Sequence, residues 1–275
     1  MDTPAVGAYG LRLRGLDGAE RLLVEAGPAW PELTVERAQS DEVLDVEELS
    51  SDSARLRLRT GGFVTLERGS RTARFSTPRL LSNDEVVHPF LAPAGAVMAE
   101  WDGRSCLHAG AFVRAGSTWA VLGEREAGKS STLAWLALHE HDVLTDDVLV
   151  LDGGTAFAGP RAIDLREEAS LHLEAGTNLG RIGARDRFRI ELRPIEPQLP
   201  FAGWVFLTWA ETASVRRLRP GELVERLLRQ RVLRVPPPDP DRWLELATRP
   251  AWELARPRDW SMLQAALDLL FESLA

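Results

Sequence analysis

Gly123-Glu124-Arg125-Glu126-Ala127-Gly128-Lys129-Ser130 is the stretch of sequence that decides the fold. It fits the pattern G-x-x-x-x-G-K-[ST], which forms a phosphate-binding loop where a strand precedes it and a helix follows it. The apolar run Trp119-Ala120-Val121-Leu122 comes just before the loop and predicts that strand. Residues 130–139 carry apolar side chains at helical spacing and predict an amphipathic helix. Both flanks favour a P-loop over a chance match in a glycine-bearing turn.

The residue types of this loop suit the binding of a nucleotide. Backbone N–H groups of such a loop and the positive end of the helix dipole bind phosphate groups. Lys129, the one lysine among 33 basic residues, is predicted to neutralise the outer phosphates, and Ser130 to offer its hydroxyl to Mg²⁺. Glu124 and Glu126 are expected to point outward, with Arg125 offsetting them. The predicted nucleotide-binding residues are Gly123, Glu124, Arg125, Glu126, Ala127, Gly128, Lys129, Ser130 and Ser131.

An aspartate pair, Asp146-Asp147, follows the loop at a distance that suits catalysis. Short apolar runs at 143–145 and 148–151 flank it, and the pair follows Ser130 by 16 and 17 residues, about a helix plus a return strand. The spacing predicts that the pair lies beside the phosphates. One carboxylate would then help to hold Mg²⁺ through water, and the other would accept the proton of a substrate hydroxyl. The alternative is a solvated turn, because such pairs are common in acidic proteins.

The remaining pattern predicts an α/β protein with a β-rich N-terminal region at 1–90 and a P-loop core at 91–275. Period-2 alternation predicts a small antiparallel meander before residue 78, and Asp84–Leu91 predicts a helix with Asn83 or Asp84 as its cap and Gly95 near its end. Its predicted strands are 11–14, 33–35, 56–59, 63–66 and 72–75. In the core we expect a hairpin from 106–113 and 118–122, helices at 165–174, 220–229 and 260–274, strands near 188–192 and 204–207, and a surface connection at Pro236-Pro237-Pro238.

Composition excludes several classes of protein. The chain has 275 residues with 44% hydrophobic content, enough for a full core, so intrinsic disorder is not expected. The formal charge of −8 and the absence of a basic run argue against nucleic acid as a partner. We find no leader pattern and no apolar run of about 18 residues, so no membrane association is expected and the cytoplasm is the expected location. Cys106, the one cysteine, is expected to be a small buried residue.

Three motifs in this order resemble one known family. Leu107-His108-Ala109-Gly110, then the P-loop, then Leu144-Thr145-Asp146-Asp147 look like the catalytic core of HPr kinase/phosphorylase and its smaller relatives. The resemblance covers roughly 91–166, with weaker similarity at 250–254 and 256–259. It implies that 91–275 is a kinase core like the C-terminal part of that family, with a mixed sheet and flanking helices.

The resemblance also implies roles for individual residues. Asp146 becomes the catalytic base, Asp147 its neighbour on the metal side, and His108 a supporting group, with Lys129 acting on the phosphates. From the residues alone, His108 is better explained as a structural residue, and only the resemblance favours a role for it; His88 is taken as structural. Gly159–Leu165 is similar to a segment that follows the aspartate pair in relatives. Further candidates for phosphate, substrate or a second Mg²⁺ are Arg161, Arg166, Arg185, Arg187, Glu167 and Glu168.

The predicted function is a kinase that uses ATP or GTP with Mg²⁺ to phosphorylate a serine-like hydroxyl of a peptide, protein or small metabolite. The similarity is greatest to stand-alone relatives found beside peptide-modification genes, so a precursor peptide is a candidate acceptor. A homo-oligomer is compatible with the resemblance, because related enzymes often associate. Two alternatives stay open. A regulatory or scaffold protein would bind nucleotide with little transfer, which the acidic loop favours, and a nucleotide hydrolase would need a water-positioning group, which we do not identify.

Overall fold

The computed structural model describes residues 4–59, 61–233 and 239–274. It is a mixed α/β structure in which three β-sheets are flanked by helices, so the predicted fold class is confirmed. The predicted connection at 236–238 lies outside the described residues. Across the described ranges, every helix is too short or too polar to cross a membrane.

The N-terminal region forms an eight-stranded sheet in the order β3-β1-β2-β4-β8-β7-β6-β5. Its strands are β1 Val6–Ala8, β2 Leu11–Arg14, β3 Val24–Glu25, β4 Glu32–Gln39, β5 Glu48–Leu49, β6 Ser53–Arg57, β7 Phe63–Glu67 and β8 Thr72–Thr77. The predicted antiparallel meander is present from β5 to β8, but the prediction is wrong for β4, which pairs in parallel with both β2 and β8. Parallel strands are joined by long crossover connections, and the alternation of residues within one strand does not show whether it pairs parallel or antiparallel.

A helical segment leads from this sheet into the core. It comprises α1 Asn83–Glu85, an irregular turn Val86–Phe90 and α2 Leu91–Trp101. The cap is Ser82 and not Asn83 or Asp84, because the Ser82 hydroxyl accepts the Glu85 N–H at 3.2 Å and the Glu85 carboxylate accepts the Ser82 N–H at 2.8 Å. Gly95 lies inside α2 and not near its end. A Cβ added at Gly95 would lie 2.6 Å from the Tyr9 ring. The helix therefore continues past the predicted end to bury Tyr9.

The core is built on a nine-stranded sheet. Its strands are β9 Ser105–Leu107, β10 Gly110–Arg114, β11 Ser117–Leu122, β12 Val143–Thr145, β13 Leu149–Asp152, β14 Thr155–Phe157, β18 Gln198–Trp209, β19 Ser214–Arg217 and β20 Ala251–Arg256. The predicted hairpin is confirmed as β10 and β11, which pair antiparallel. At the centre, β11, β18 and β20 run parallel, with Leu122 opposite Phe206. Parallel strands buried on both faces explain the continuous apolar run at 204–207.

In the described part of the chain, a small sheet and five helices cover this centre. The sheet has the order β15-β17-β16, with β15 Ala162–Leu165, β16 Thr177–Ile182 and β17 Arg185–Glu191. The helices are α3 Lys129–Leu138, α4 Glu167–Leu173, α5 Pro220–Arg229, α6 Pro240–Ala247 and α7 Leu263–Ser273. The helix predicted from Leu165 starts two residues later, because Leu165 is the last residue of β15. The closing helix opens with the 3-10 turn Trp260–Met262.

The two halves of the chain share one hydrophobic core. Leu11 and Phe75 of the N-terminal sheet belong to the same buried cluster as Leu107 and Trp204 of the central sheet. A second cluster lies between α3, α7 and the central strands. The boundary at residue 90 stays a prediction, and the N-terminal region contacts the core where the Tyr9 N–H donates to the carbonyl oxygen of Ala158 at 2.7 Å.

Candidate active site

The phosphate loop joins β11 to α3, and two of its glycines are required by the space around them. An added Cβ at Gly123 would lie 2.8 Å from the carbonyl oxygen of Leu207. Gly128 has φ +84°, a left-handed conformation that favours glycine, and an added Cβ there would lie 2.6 Å from Arg256. The loop therefore keeps its backbone close to β18 and β20, with the N-terminus of α3 at its end.

Lys129 folds back onto the loop. Its Nζ donates to the carbonyl oxygen of Gly123 at 2.8 Å and to that of Glu124 at 3.3 Å. Burial lowers the pKa of Lys129, and the carboxylates of Asp146, Asp147 and Glu124 oppose that shift. The ammonium group thus lies between the loop backbone and the aspartate pair, where an incoming phosphate can replace the carbonyl contacts.

The two acids of the loop are accessible to solvent, and their outward orientation stays a prediction. Glu124 and Glu126 are exposed. Glu126 pairs with Arg166 at 3.0 Å, so the partner of this carboxylate is Arg166 and not Arg125. The indole Nε1 of Trp209 donates to the carbonyl oxygen of Glu126 at 3.1 Å. One of the two acidic side chains is therefore held by an arginine outside the loop.

Asp146 lies at the end of β12, next to the phosphate loop. Its Oδ1 accepts a hydrogen bond from Ser130 Oγ at 3.0 Å, and the residue is only 5% exposed. Burial, assisted by the neighbouring charge of Asp147, raises the pKa of Asp146 to about 7, while the bond from Ser130 opposes the rise. The helix-plus-strand spacing read from the sequence thus does bring these two residues together, although their chemical roles stay predictions.

Asp147 occupies a tight turn that aims it toward His108. Its φ is +74°, and the N–H of Val148 donates to the carbonyl oxygen of Asp146 at 3.0 Å across the turn. His108 Nδ1 lies 3.2 Å from Asp147 Oδ1, and both side chains are about half exposed. His108 therefore contacts the pair from the solvent side.

The oxygen atoms at this site suit Mg²⁺. The Ser130 hydroxyl and the carboxylates of Asp146 and Asp147 are hard oxygen donors at the mouth of a phosphate loop. The described residues include no group of three or more His, Cys, Asp or Glu side chains placed to hold a metal ion. Magnesium is usually held by one or two protein groups together with phosphates and water, so a partial set of ligands fits it. Ser130 and Asp147 are the residues expected to hold the ion.

A buried charged cluster beside the aspartate pair was not predicted. The carboxylate of Asp164, on β15, forms two ion pairs: Arg189 Nε lies 2.8 Å from its Oδ1, and Arg187 Nη1 lies 3.3 Å from its Oδ2. His88 Nε2 lies 3.7 Å from Asp164, and burial lowers the pKa of His88 to about 4, which leaves the imidazole neutral at pH 7. The alternation of arginine along β17 is the one signal in the sequence, and solvated surface charge is the stronger explanation of that pattern from sequence alone.

Tyr9 of the N-terminal sheet is a second residue that the sequence did not single out. Its ring lies between Gly95 and Gly159, where added Cβ atoms would approach it to 2.6 and 3.1 Å. Burial raises the pKa of the Tyr9 hydroxyl, and the charges of Asp147 and Asp146 add to the rise. The N-terminal sheet therefore reaches the neighbourhood of the aspartate pair.

The other candidates from the sequence differ in where they lie. Arg161 is buried and donates to the carbonyl oxygens of Val143, Leu144 and Arg193, so it is a structural residue and not a phosphate ligand. Arg185 is half-buried and donates to the Asp164 carbonyl oxygen at 3.4 Å. Residues 167 and 168 lie exposed in the first turn of α4, where the helix dipole favours acids, and their role as metal ligands stays a prediction.

Comparisons with known proteins add one finding. The sequence matches no protein-family profile, and no curated protein is similar to it in sequence. The structure is similar to that of the Hpr(Ser) kinase/phosphatase from Coxiella burnetii, with a TM-score of 0.32 and 12% identity over 61% of this chain and 95% of that chain. A likeness of this size does not transfer a function. The similarity of the three motifs to HPr kinase/phosphorylase remains a resemblance, and a function for this chain has to be argued from the geometry of its own residues.

Proposed function

We propose that this chain is a nucleoside-triphosphate-dependent kinase that transfers the γ-phosphoryl group to a serine-like hydroxyl. The observation that carries the proposal is the 3.0 Å distance between Ser130 Oγ and Asp146 Oδ1. It joins the hydroxyl expected on the metal ion to the carboxylate expected to act as base. Phosphoryl transfer depends mainly on positioning and on charge stabilisation, so a phosphate loop and a base that meet at one point are its main requirement.

The phosphate loop performs the nucleotide side of the reaction. Its backbone N–H groups and the N-terminus of α3 bind the β- and γ-phosphates. Lys129 exchanges its contacts with the carbonyl oxygens of Gly123 and Glu124 for contacts with the outer phosphates. Mg²⁺, held by Ser130 and Asp147, would neutralise part of the charge on the phosphate oxygens.

Asp146 performs the acceptor side. It takes the proton of the acceptor hydroxyl as the oxygen attacks the γ-phosphorus, while the bond from that phosphorus to the bridging oxygen breaks and the nucleoside diphosphate leaves. A pKa near 7 keeps the ionised form of Asp146 populated at neutral pH. His108 orients Asp147 through their 3.2 Å contact. The acceptor is a peptide, a protein or a small metabolite with a serine-like hydroxyl, and a precursor peptide is the candidate that the motif resemblance favours.

A nucleotide-binding regulator is the second candidate. It is favoured by the carboxylates of Glu124 and Glu126, which place two negative charges in a loop expected to bind a polyanion. Such a protein would gain stability from nucleotide but would label no acceptor.

Labelling with γ-labelled ATP and Mg²⁺ separates the two candidates. Wild type, Asp146→Asn and Lys129→Ala are each incubated with serine-containing peptides and hydroxylated metabolites, and transferred label is counted. The kinase proposal expects label with wild type and a loss of at least about a hundredfold in Asp146→Asn, since general base catalysis contributes on that scale. Label that is equal in wild type and Asp146→Asn would refute the assigned base, and nucleotide binding without any label would favour the regulator.

A further inference from the structure

Arg256 is a buried arginine directly behind the phosphate loop. It is the last residue of β20 and lies opposite Trp209 of β18 in the parallel pairing. Its guanidinium lies over the Trp209 ring, 4.3 Å from the ring centroid, and the residue is only 5% exposed. Its Nη2 occupies the space that a Cβ on Gly128 would need. The cation therefore touches the loop at the residue before Lys129.

Arg256 also holds the first turn of α3. Its Nη2 donates to Thr132 Oγ1 at 3.0 Å, and that hydroxyl donates in turn to the carbonyl oxygen of Gly128 at 2.8 Å. Trp209, on which the guanidinium stacks, donates from Nε1 to the carbonyl oxygen of Glu126 at 3.1 Å. The stacked pair thus fixes two carbonyl groups of the loop, one from each partner.

The charge of Arg256 is not balanced by any carboxylate among the described residues. Burial is the one cause that lowers its pKa, to about 10, and its Nε is buried without a hydrogen-bond partner in those same ranges. Burying a cation without an anion is costly, and the positive end of α3 nearby adds to that cost. Packing alone does not explain a charge in this place, whereas an anion bound in the loop would.

The charged side chains of the loop cancel one another in formal charge. Glu124 and Glu126 offset Arg125 and Lys129, so residues 123–130 carry no formal net charge. Arg166 pairs with Glu126 on the exposed side of the loop. Among the described residues, Arg256 is the cation in contact with the loop on its buried side.

We propose that Arg256 is a positioning residue for nucleotide binding, a fixed counter-charge behind the phosphate loop whose anion is the polyphosphate of the nucleotide. The proposal rests on the proposed function in one respect, that the loop binds a nucleotide. This role and a structural role predict opposite effects of Arg256 on the stability of the ligand-free protein. A structural arginine stabilises the protein with or without ligand, whereas this charge costs stability without nucleotide and is compensated when nucleotide binds.

The test compares Arg256→Gln and Arg256→Lys with a matched control, Arg258→Gln. Arg258 also lies over the Trp209 ring, at 6.0 Å from the centroid, but it is exposed. For each protein, ATP with Mg²⁺ is titrated by calorimetry, and Tm is measured without ligand and with saturating ATP. We expect Arg256→Gln to raise the Kd for ATP about 10- to 100-fold without lowering the ligand-free Tm. Arg256→Lys keeps the charge but loses the stacking on Trp209, so it should bind ATP more weakly than wild type and more tightly than Arg256→Gln, and Arg258→Gln should bind like wild type.

Each contrary outcome has its own meaning. If wild type binds ATP and Arg256→Gln binds it equally well, the counter-charge is refuted while the kinase proposal stands. If Arg256→Gln lowers the ligand-free Tm or fails to fold, Arg256 is a structural residue and the inference is overturned. If wild type itself binds no ATP, this inference and the proposed function both fall.

Discussion

Replacing Asp146 with asparagine should stabilise the ligand-free protein at neutral pH. Asparagine keeps an oxygen that can accept the Ser130 hydroxyl, but it cannot ionise. The folded protein raises the pKa of Asp146 from 3.8 to about 7, so the native state binds this proton more tightly than the unfolded state does. Wild type is therefore most stable, with respect to this group, below about pH 4, and it loses free energy of unfolding as pH rises to about 7. A shift of roughly three units corresponds to about 4 kcal/mol.

Urea unfolding in EDTA at several pH values between 4 and 8 measures this effect. The difference in free energy of unfolding between Asp146→Asn and wild type should be small near pH 4 and should grow to about 4 kcal/mol in favour of the variant by pH 8. Asp186→Asn, which removes an exposed carboxylate, is the control for the loss of a surface charge. Parallel stability curves for wild type and Asp146→Asn would refute the reasoning, because the buried carboxylate would then carry no ionisation cost.

Three other changes test neighbouring contacts. Asp164→Asn leaves two buried arginines without their carboxylate and should lower the free energy of unfolding by about 3–5 kcal/mol, measured by urea unfolding, and a loss under 1 kcal/mol would contradict the assignment. Gly128→Ala places a Cβ against Arg256 at a positive φ, so calorimetry should find no ATP binding, and binding at the wild-type Kd would show that the loop tolerates the change. His108→Gln should slow phosphoryl transfer about tenfold at an unchanged Kd for ATP, and an unchanged rate would make His108 a bystander.

The parts of the structure that the sequence predicted depend on local pattern. The phosphate loop, the strand before it and the helix after it are consecutive in the chain, so one motif specifies all three. Asp146 follows from the same logic, because one helix and one return strand bring the chain back to the loop. The buried run at 204–207 and helix α5 are likewise visible as an apolar stretch and as an amphipathic repeat.

The parts that the sequence did not predict depend on contacts between distant residues. The parallel pairing of β4 with β2 and β8 is decided by long connections and not by the residues of those strands. The chain has 32 arginines, so their presence alone does not indicate which ones contact the loop. Arg256 donates to Thr132, which is 124 positions away in the sequence, and no local spacing predicts that contact. The ion pairs of Asp164 with Arg187 and Arg189 could not be predicted either, because they depend on the pairing of β15 with β17.

The most direct test of the central claim is a calorimetric titration of ATP with Mg²⁺ into wild type and into Lys129→Ala. Lys129 contacts the loop carbonyls at 2.8 and 3.3 Å and is the residue expected to exchange them for the outer phosphates. We predict binding by wild type with a Kd on the order of micromolar and a loss of binding in Lys129→Ala. No binding to wild type, or equal binding to both proteins, would contradict the account.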